Sequence, residues 1–236
     1  MIDLPSPNYD ERGHQVPEFI ILHYTGMKTA KEALDRLTDV TSKVSAHYTI
    51  DEKGEIYLHV SEDKRAWHAG HSRWGEISDL NTRSIGIEIV NPGHEFGYRE
   101  FPAVQILAVI DLCKDIMSRH HIEPENVLAH SDIAPSRKDD PGELFPWRKL
   151  AEEGVGVWPS PADEDSVLAA GMIVERALND LGYDARVKHR DKLIAFQRHF
   201  EPEAFTDGEA GHVTNRTRTR LYALLAGHLI ISPQSW

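Results

Sequence analysis

One cysteine, Cys113, is present in 236 residues, so no internal disulfide can form. It stands in VIDLCKDIM, an apolar pattern at helical spacing, where a small buried hydrophobe is the expected role rather than a nucleophile. No apolar run approaches the roughly 20 residues that a membrane span needs. The opening MIDLPSPNYDERGHQVPEF lacks the basic start and apolar centre of a secretory leader. The sequence as it stands is therefore expected in the cytoplasm, and loss of a leader by trimming would instead make it periplasmic or extracellular. Positive charge is scarce too. Lys and Arg number 26 against 38 acidic residues, a formal net charge of −12, whereas a nucleic-acid partner calls for a basic patch. Internal repeats and low-complexity tracts are absent, and 40% apolar residues suffice for a sizeable core.

What is present alternates between two kinds of pattern. EFIILHYTG (18–26) is a short β-branched-rich run that reads as a buried strand, and 28–40 carries helical spacing. HYTIDEKGEIYLHV reads as a hairpin turning near Lys53-Gly54, and RSIGIEIVNPG as a strand closed by Asn91-Pro92-Gly93. Apolar residues recur at three- and four-residue steps from Pro102 to His120, giving a long amphipathic helix, and NVLAHSD reads as a last strand. Strands alternating with helices predict an α/β layer fold with a central sheet. GVGVWPSPADEDS (154–166), rich in Gly, Pro and acids, reads as a linker between a unit at 1–153 and a helical unit at 167–236. In the latter, helices are expected at Val167–Leu181, capped by Gly182, at Asp191–Phe200 and at Thr214–Leu225.

Fourteen histidines is a high count, and the informative ones end apolar strands. His23 alternates onto the face of Phe19 and Ile21, and His130 ends VLAHSD in the same way. Taken singly, each is more readily a satisfied core histidine than a ligand. Asp140 follows His130 by ten residues, at the Pro141-Gly142 turn. Two imidazoles and a carboxylate suit zinc with a fourth position left open, the catalytic form of such a site. Glu88 lies opposite Ile85, Ile87 and Ile89 on its strand, so it either faces solvent or serves as a general base beside a metal. Lys138 is either a surface charge or the cation that meets an oxyanion. Asp132 and Asp139 have no assigned task in this reading and are expected to be solvated.

Five ordered motifs, IILHYTG, SAHYTIDEKGEIY, AWHAGHSRW, LNTRSIGIEIVNPG and AHSDIAPSRKDDPG, resemble the zinc-dependent N-acetylmuramoyl-L-alanine amidases over residues 15–150. The resemblance implies a mixed central β-sheet flanked by helices, and one zinc per chain on His23, His130 and Asp140, with Glu88 taking the proton of the attacking water and Lys138 facing the oxyanion. It also implies places behind the ligands or along the substrate for His47, Tyr48, Asn81 and Arg137, with Arg73 and Trp74 walling the cleft. The bond implied is the amide between the lactyl group of N-acetylmuramic acid and L-alanine, in peptidoglycan or muropeptides. A non-catalytic muropeptide binder and a zinc peptidase acting within the stem peptide are the alternatives. The stretch LIAFQRHFEPEAFTDGEAGHVTNRTRTRLYALL resembles a three-helix peptidoglycan-binding module. A monomer is expected, with peptidoglycan or a muropeptide as partner.

Overall fold

The computed structural model describes residues 1–230, so the last six residues of the expected 167–236 unit lie outside the described residues. Eight short strands occur among them: β1 (Ile2–Asp3), β2 (Tyr9–Glu11), β3 (Phe19–Tyr24), β4 (Tyr48–Ile50), β5 (Ile56–Leu58), β6 (Lys64–Ala66), β7 (Ser84–Ile89) and β8 (Val127–Ala129). Six form one mixed sheet in the order β1-β5-β4-β7-β3-β8, and β2 pairs with β6 apart from it. The apolar strand β3 runs parallel to β7 on one side and to β8 on the other. Strand β4 is parallel to β7 and antiparallel to β5, the expected hairpin. A strand in the middle of a parallel arrangement is covered on both faces, which is why FIILHY reads as a nearly continuous apolar run.

The two faces differ in kind. Ile20, Leu22, Ile85, Ile87 and Ile89 share the main core with Ile106, Val109, Ile110 and Cys113 of the Ala103–His120 helix. Burial raises the Cys113 thiol far above its usual range, so it stays protonated and inert. On the opposite face Phe19, Ile21, Leu128, Leu80 and Ile133 form a smaller cluster, and the polar residues of the site stand beyond it.

The C-terminal helices run Asp165–Leu168, Val174–Leu181, His189–Phe200, Glu203–Thr206 and Asn215–Ala226. The single helix expected over Val167–Leu181 is interrupted: a 3-10 turn ends at Gly171, a poor helix former, and Met172 is extended. Tyr183, Leu193, Phe196, Phe200 and Leu221 enter the same core as Phe145, Trp147 and Trp158. The 154–166 stretch is packed as well. Val155 and Trp158 are buried, the Ser160 N–H donates to the His228 carbonyl at 2.8 Å, and the Ile230 N–H donates to the Trp158 carbonyl at 2.9 Å. Gly182 ends its helix as expected, and for two reasons. Its φ is +134°, and a Cβ there would lie 2.5 Å from Trp74 Cε2, so the helix end seats directly on that indole.

Candidate active site

Parallel register sets the site out in a row. His23 of β3 is directly opposite Glu88 of β7, and Glu88 is opposite Thr49 of β4. Leu22 pairs with Ala129, which brings the next residue of each chain segment, His23 and His130, side by side. His130 itself begins a short helical turn, His130–Ile133, rather than extending the strand. The backbone of that turn is tied to the third residue, because the Ser131 N–H donates to the Asp140 carbonyl at 3.0 Å.

Three side-chain atoms converge here. His23 Nδ1 lies 2.9 Å from His130 Nδ1 and 3.0 Å from Asp140 Oδ2, and His130 Nδ1 is 2.9 Å from the same oxygen. All three residues are buried and could together hold a metal ion. The hydrogen bonds behind the rings fix what these atoms present. The Ser84 hydroxyl donates to the Leu80 carbonyl, so its oxygen accepts from His68 Nε2–H at 3.2 Å. His68 Nδ1, left with a lone pair, accepts from His23 Nε2–H at 3.0 Å. His130 Nε2–H points to the Ala69 carbonyl at 3.3 Å. Both Nδ1 atoms therefore aim lone pairs at the Asp140 carboxylate and at each other, an arrangement that repels unless a cation sits among them. Tetrahedral zinc with bonds of about 2.0–2.1 Å separates its ligand atoms by ~3.3 Å, so the triangle needs only a slight opening. The donor set fits zinc.

Electrostatics agree with neutral imidazoles and an ionised carboxylate. Burial, aided by His130, lowers His23 to about 4. Burial alone would raise the Asp140 carboxyl, but the two histidines outweigh it and hold the group far below the usual range. Glu88 behaves oppposite to Asp140: burial and the nearby Asp140 charge push its carboxyl well above the ordinary value, against the pull of Lys138. Its residue surface is partly open to the cleft, while Oε2 is sealed and has no hydrogen-bond partner among the described residues. The cleft measures about 610 Å³ and is lined by Tyr24, Trp67, Glu88, Arg137, Lys138 and Asp140 among others. Lys138 forms no ion pair among the described residues, which leaves its ammonium free to face a substrate.

The remaining expected residues divide. His47 stands two layers back: the Gly86 N–H donates to its Nδ1 at 2.9 Å, and its ring meets the edge of His68 at a centroid distance of 5.7 Å. Burial and the Arg12 charge lower it to about 3. Asn81 braces the loop over the ligands, its Oδ1 accepting from the backbone N–H groups of His68 (3.0 Å) and Ala69 (2.7 Å). Arg137 lines the cleft and clamps the same loop by donating to the carbonyls of Ala69 and of His71 (2.6 Å). Tyr48 is a correction. It lies on the other face of its strand, in the main core, and its hydroxyl donates to Glu62 at 2.7 Å. Adjacent strand residues face opposite ways, so His47 and Tyr48 cannot both serve the site. Trp74 packs edge-on against Tyr183, just past the Val174–Leu181 helix, and Arg73 turns outward to Gly75 and Glu76.

Of the two aspartates expected to be solvated, Asp139 is exposed and Asp132 is not. Asp132 is fully buried and accepts three hydrogen bonds, and Asp139 pairs with Arg198 at 3.1 Å. His68 was missed altogether, although it stands in the quoted AWHAGHSRW. Its signal is Gly86 in the strand opposite: a Cβ there would lie 2.3 Å from His68 Cγ, so glycine makes room for the ring.

A buried His-His-Asp cluster that could hold a metal ion stands at the end of a parallel strand pair on an α/β fold, flanked by an acid and an unpaired lysine, the residue types that metal-assisted hydrolysis calls for. The comparisons with known proteins name the class. The family model described as N-acetylmuramoyl-L-alanine amidase matches residues 12–143. The chain is 40% identical over 216 residues to the N-acetylmuramoyl-L-alanine amidase AmiD of Escherichia coli, an alignment covering 81% of this chain and 77% of AmiD. The solved complex of E. coli AmiD with anhydro-N-acetylmuramic acid-L-Ala-D-γ-Glu-L-Lys superposes with a TM-score of 0.79 at 37% identity, covering 90% of each chain. AmpDh3 of Pseudomonas aeruginosa gives the same TM-score, 0.79, at 33% identity over 94% of this chain and 95% of that one. The chain belongs to the N-acetylmuramoyl-L-alanine amidase family and is a hydrolase of that class.

Proposed function

We propose that this chain binds one zinc ion on His23, His130 and Asp140 and hydrolyses the amide between the lactyl group of N-acetylmuramic acid and L-alanine in muropeptides. The observation that carries the reading is the set of three proton-free donor atoms at 2.9–3.0 Å, two of them fixed as lone pairs by the bonds behind their rings. Similarity to an amidase solved with an anhydro-muropeptide supports the substrate class.

When bound, zinc supplies Lewis acidity, drawing water towards hydroxide near pH ~7 and polarising the scissile carbonyl. The protein supplies the rest. Glu88 accepts the proton of the attacking water, and its raised proton affinity suits it to hold that proton until the alanine amine departs with it. Lys138, unpaired at the cleft, meets the negative charge that grows on the carbonyl oxygen. Asn81 and Arg137 hold the 68–71 loop over the ligands, keeping the His130 ring turned by its bond to Ala69. The residues beyond 166 are proposed as a wall-binding-like unit joined to the 1–153 unit through 154–166.

Digestion of an anhydro-muropeptide followed by mass spectrometry tests the bond. Release of an intact stem peptide beginning at L-alanine is expected. Fragments cut inside the stem would make the protein a peptidase, and uncut substrate retained on the protein would make it a binder.

A further inference from the structure

The loop carrying His130 and Asp140 is held from outside the sheet, by two consecutive residues of the His189–Phe200 helix. Asp132, two residues after His130, accepts from the Ala129 N–H at 2.8 Å, from His199 Nδ1–H at 2.7 Å and from the Tyr183 hydroxyl at 2.7 Å. Asp132 and His199 are buried to within 1% of complete. A buried carboxylate needs every one of its partners, and two of these three come from the C-terminal helical part, His199 from its helix and Tyr183 from the connection after Val174–Leu181. The His199 ring is clamped between Trp147 and Phe200, with centroids 3.8 Å away on each side. Its Nε2 is buried and has no partner among the described residues, so the bond to Asp132 is the one directed polar contact for which the ring is held. Arg198 acts on the other end of the loop, reaching Asp139 at 3.1 Å and Glu143 at 3.3 Å on either side of Asp140.

The path to the metal ligands is short. Asp132 fixes the Ala129 N–H, Ala129 leads directly into His130, and the Ser131 N–H is bonded to the Asp140 carbonyl. We infer that the C-terminal helical part is a positioning element for the metal site: His199 of the His189–Phe200 helix and Tyr183, just past the Val174–Leu181 helix, hold Asp132, and Asp132 holds the turn that aims His130 at Asp140. Within the FQR string of the wall-binding resemblance, Phe196-Gln197-Arg198, all three residues are buried, and Arg198 is turned onto the catalytic loop. This inference rests on the zinc reading of the site.

The test uses the full chain in four forms: wild type, His199→Phe, His199→Asn and Tyr183→Phe. Phenylalanine keeps the stack and loses the bond, whereas asparagine offers an N–H where Nδ1 stood. Zinc affinity is read by competition with a chelator, ligand geometry by the visible spectrum of the cobalt-loaded protein, and kcat and KM separately. Outer partners of metal sites shift affinity by roughly 10-fold or more. A loss of that order is expected in His199→Phe and Tyr183→Phe, with an altered cobalt spectrum and a fall in kcat rather than a rise in KM. His199→Asn is expected to return towards wild type. Wild-type zinc affinity and spectrum in both defective variants, whatever their melting temperatures, would reduce the helices to a buttress and overturn the inference. If His199→Phe does not fold, Tyr183→Phe decides alone. A wild-type chain that takes up no zinc would refute the zinc reading and this inference together.

Discussion

The sheet half and the helical half of this molecule both carry motifs, and the motifs do opposite things. In the sheet half, His23, Glu88 and His130 stand in a row at the open end of β7, β3 and β8, towards a cleft. In the helical half, Phe196, Gln197 and Arg198 turn inward. Gln197 is spent on its own domain, donating to the His212 carbonyl at 2.8 Å and accepting from the Gly211 N–H at 2.7 Å. Arg198 is spent on the catalytic loop. A recurrent polar residue thus marks a reactive surface in one half and a joint in the other, and only its partners tell which.

The contrast is sharpest if the cleft row is broken first. Asp140→Ala removes a third of the donor set and leaves two lone pairs facing nothing, so loss of zinc and of all measurable turnover is expected. Elemental analysis after dialysis checks it; stoichiometric zinc in that variant would undo the ligand assignment. Glu88→Gln should keep zinc and lose on the order of 10²–10⁴ in turnover. The same variant should melt higher. A carboxyl whose folded pKa is raised gives up stability as pH rises from its unfolded value through the folded one, and glutamine does not ionise. Calorimetry at neutral pH reads that gain, and a lower melting temperature would mean that Glu88 has a partner in solution.

How much of this was legible in the sequence follows from periodicity. Alternation along β3 and β7 places His23 and Glu88 on the face away from the main core, and the same period of two separates His47 from Tyr48, which the resemblance alone had grouped together. The row itself needed the register, which no single strand contains. Asp132 was illegible for another reason. The chain leaves its strand at Ala129 and turns into a helix at His130, so the alternation that placed earlier residues stops before it. Its burial depends on Tyr183 and His199, 51 and 67 residues away. The 154–166 stretch misleads by composition: its glycines and prolines describe a bend, while Val155 and Trp158 pin that bend into the core.

Smaller effects follow. Lys138→Ala should retain zinc and lose roughly 10²–10³ in kcat, the scale of one oxyanion contact; steady-state kinetics with unchanged metal content would show it. In the metal-free protein His23, lowered to about 4, His47, lowered to about 3, and His68, held well below its ordinary value by burial, all fold as neutral rings. Each unfolded ring binds a proton near pH ~6.5, so their contribution is complete above that value and is lost as pH falls towards about 4. Denaturant melts across that window should show midpoints falling by up to about three protons' worth of slope, and a flat profile would mean that the rings are not buried neutral.

The central claim is that one zinc on His23, His130 and Asp140 carries the reaction. Stripping the wild-type chain with a chelator and titrating zinc back, while following release of the stem peptide from an anhydro-muropeptide, tests it directly. Turnover should start from zero, climb in proportion to added zinc and level off at one ion per chain. Turnover in the stripped protein, or a plateau reached only beyond one ion, would contradict the account.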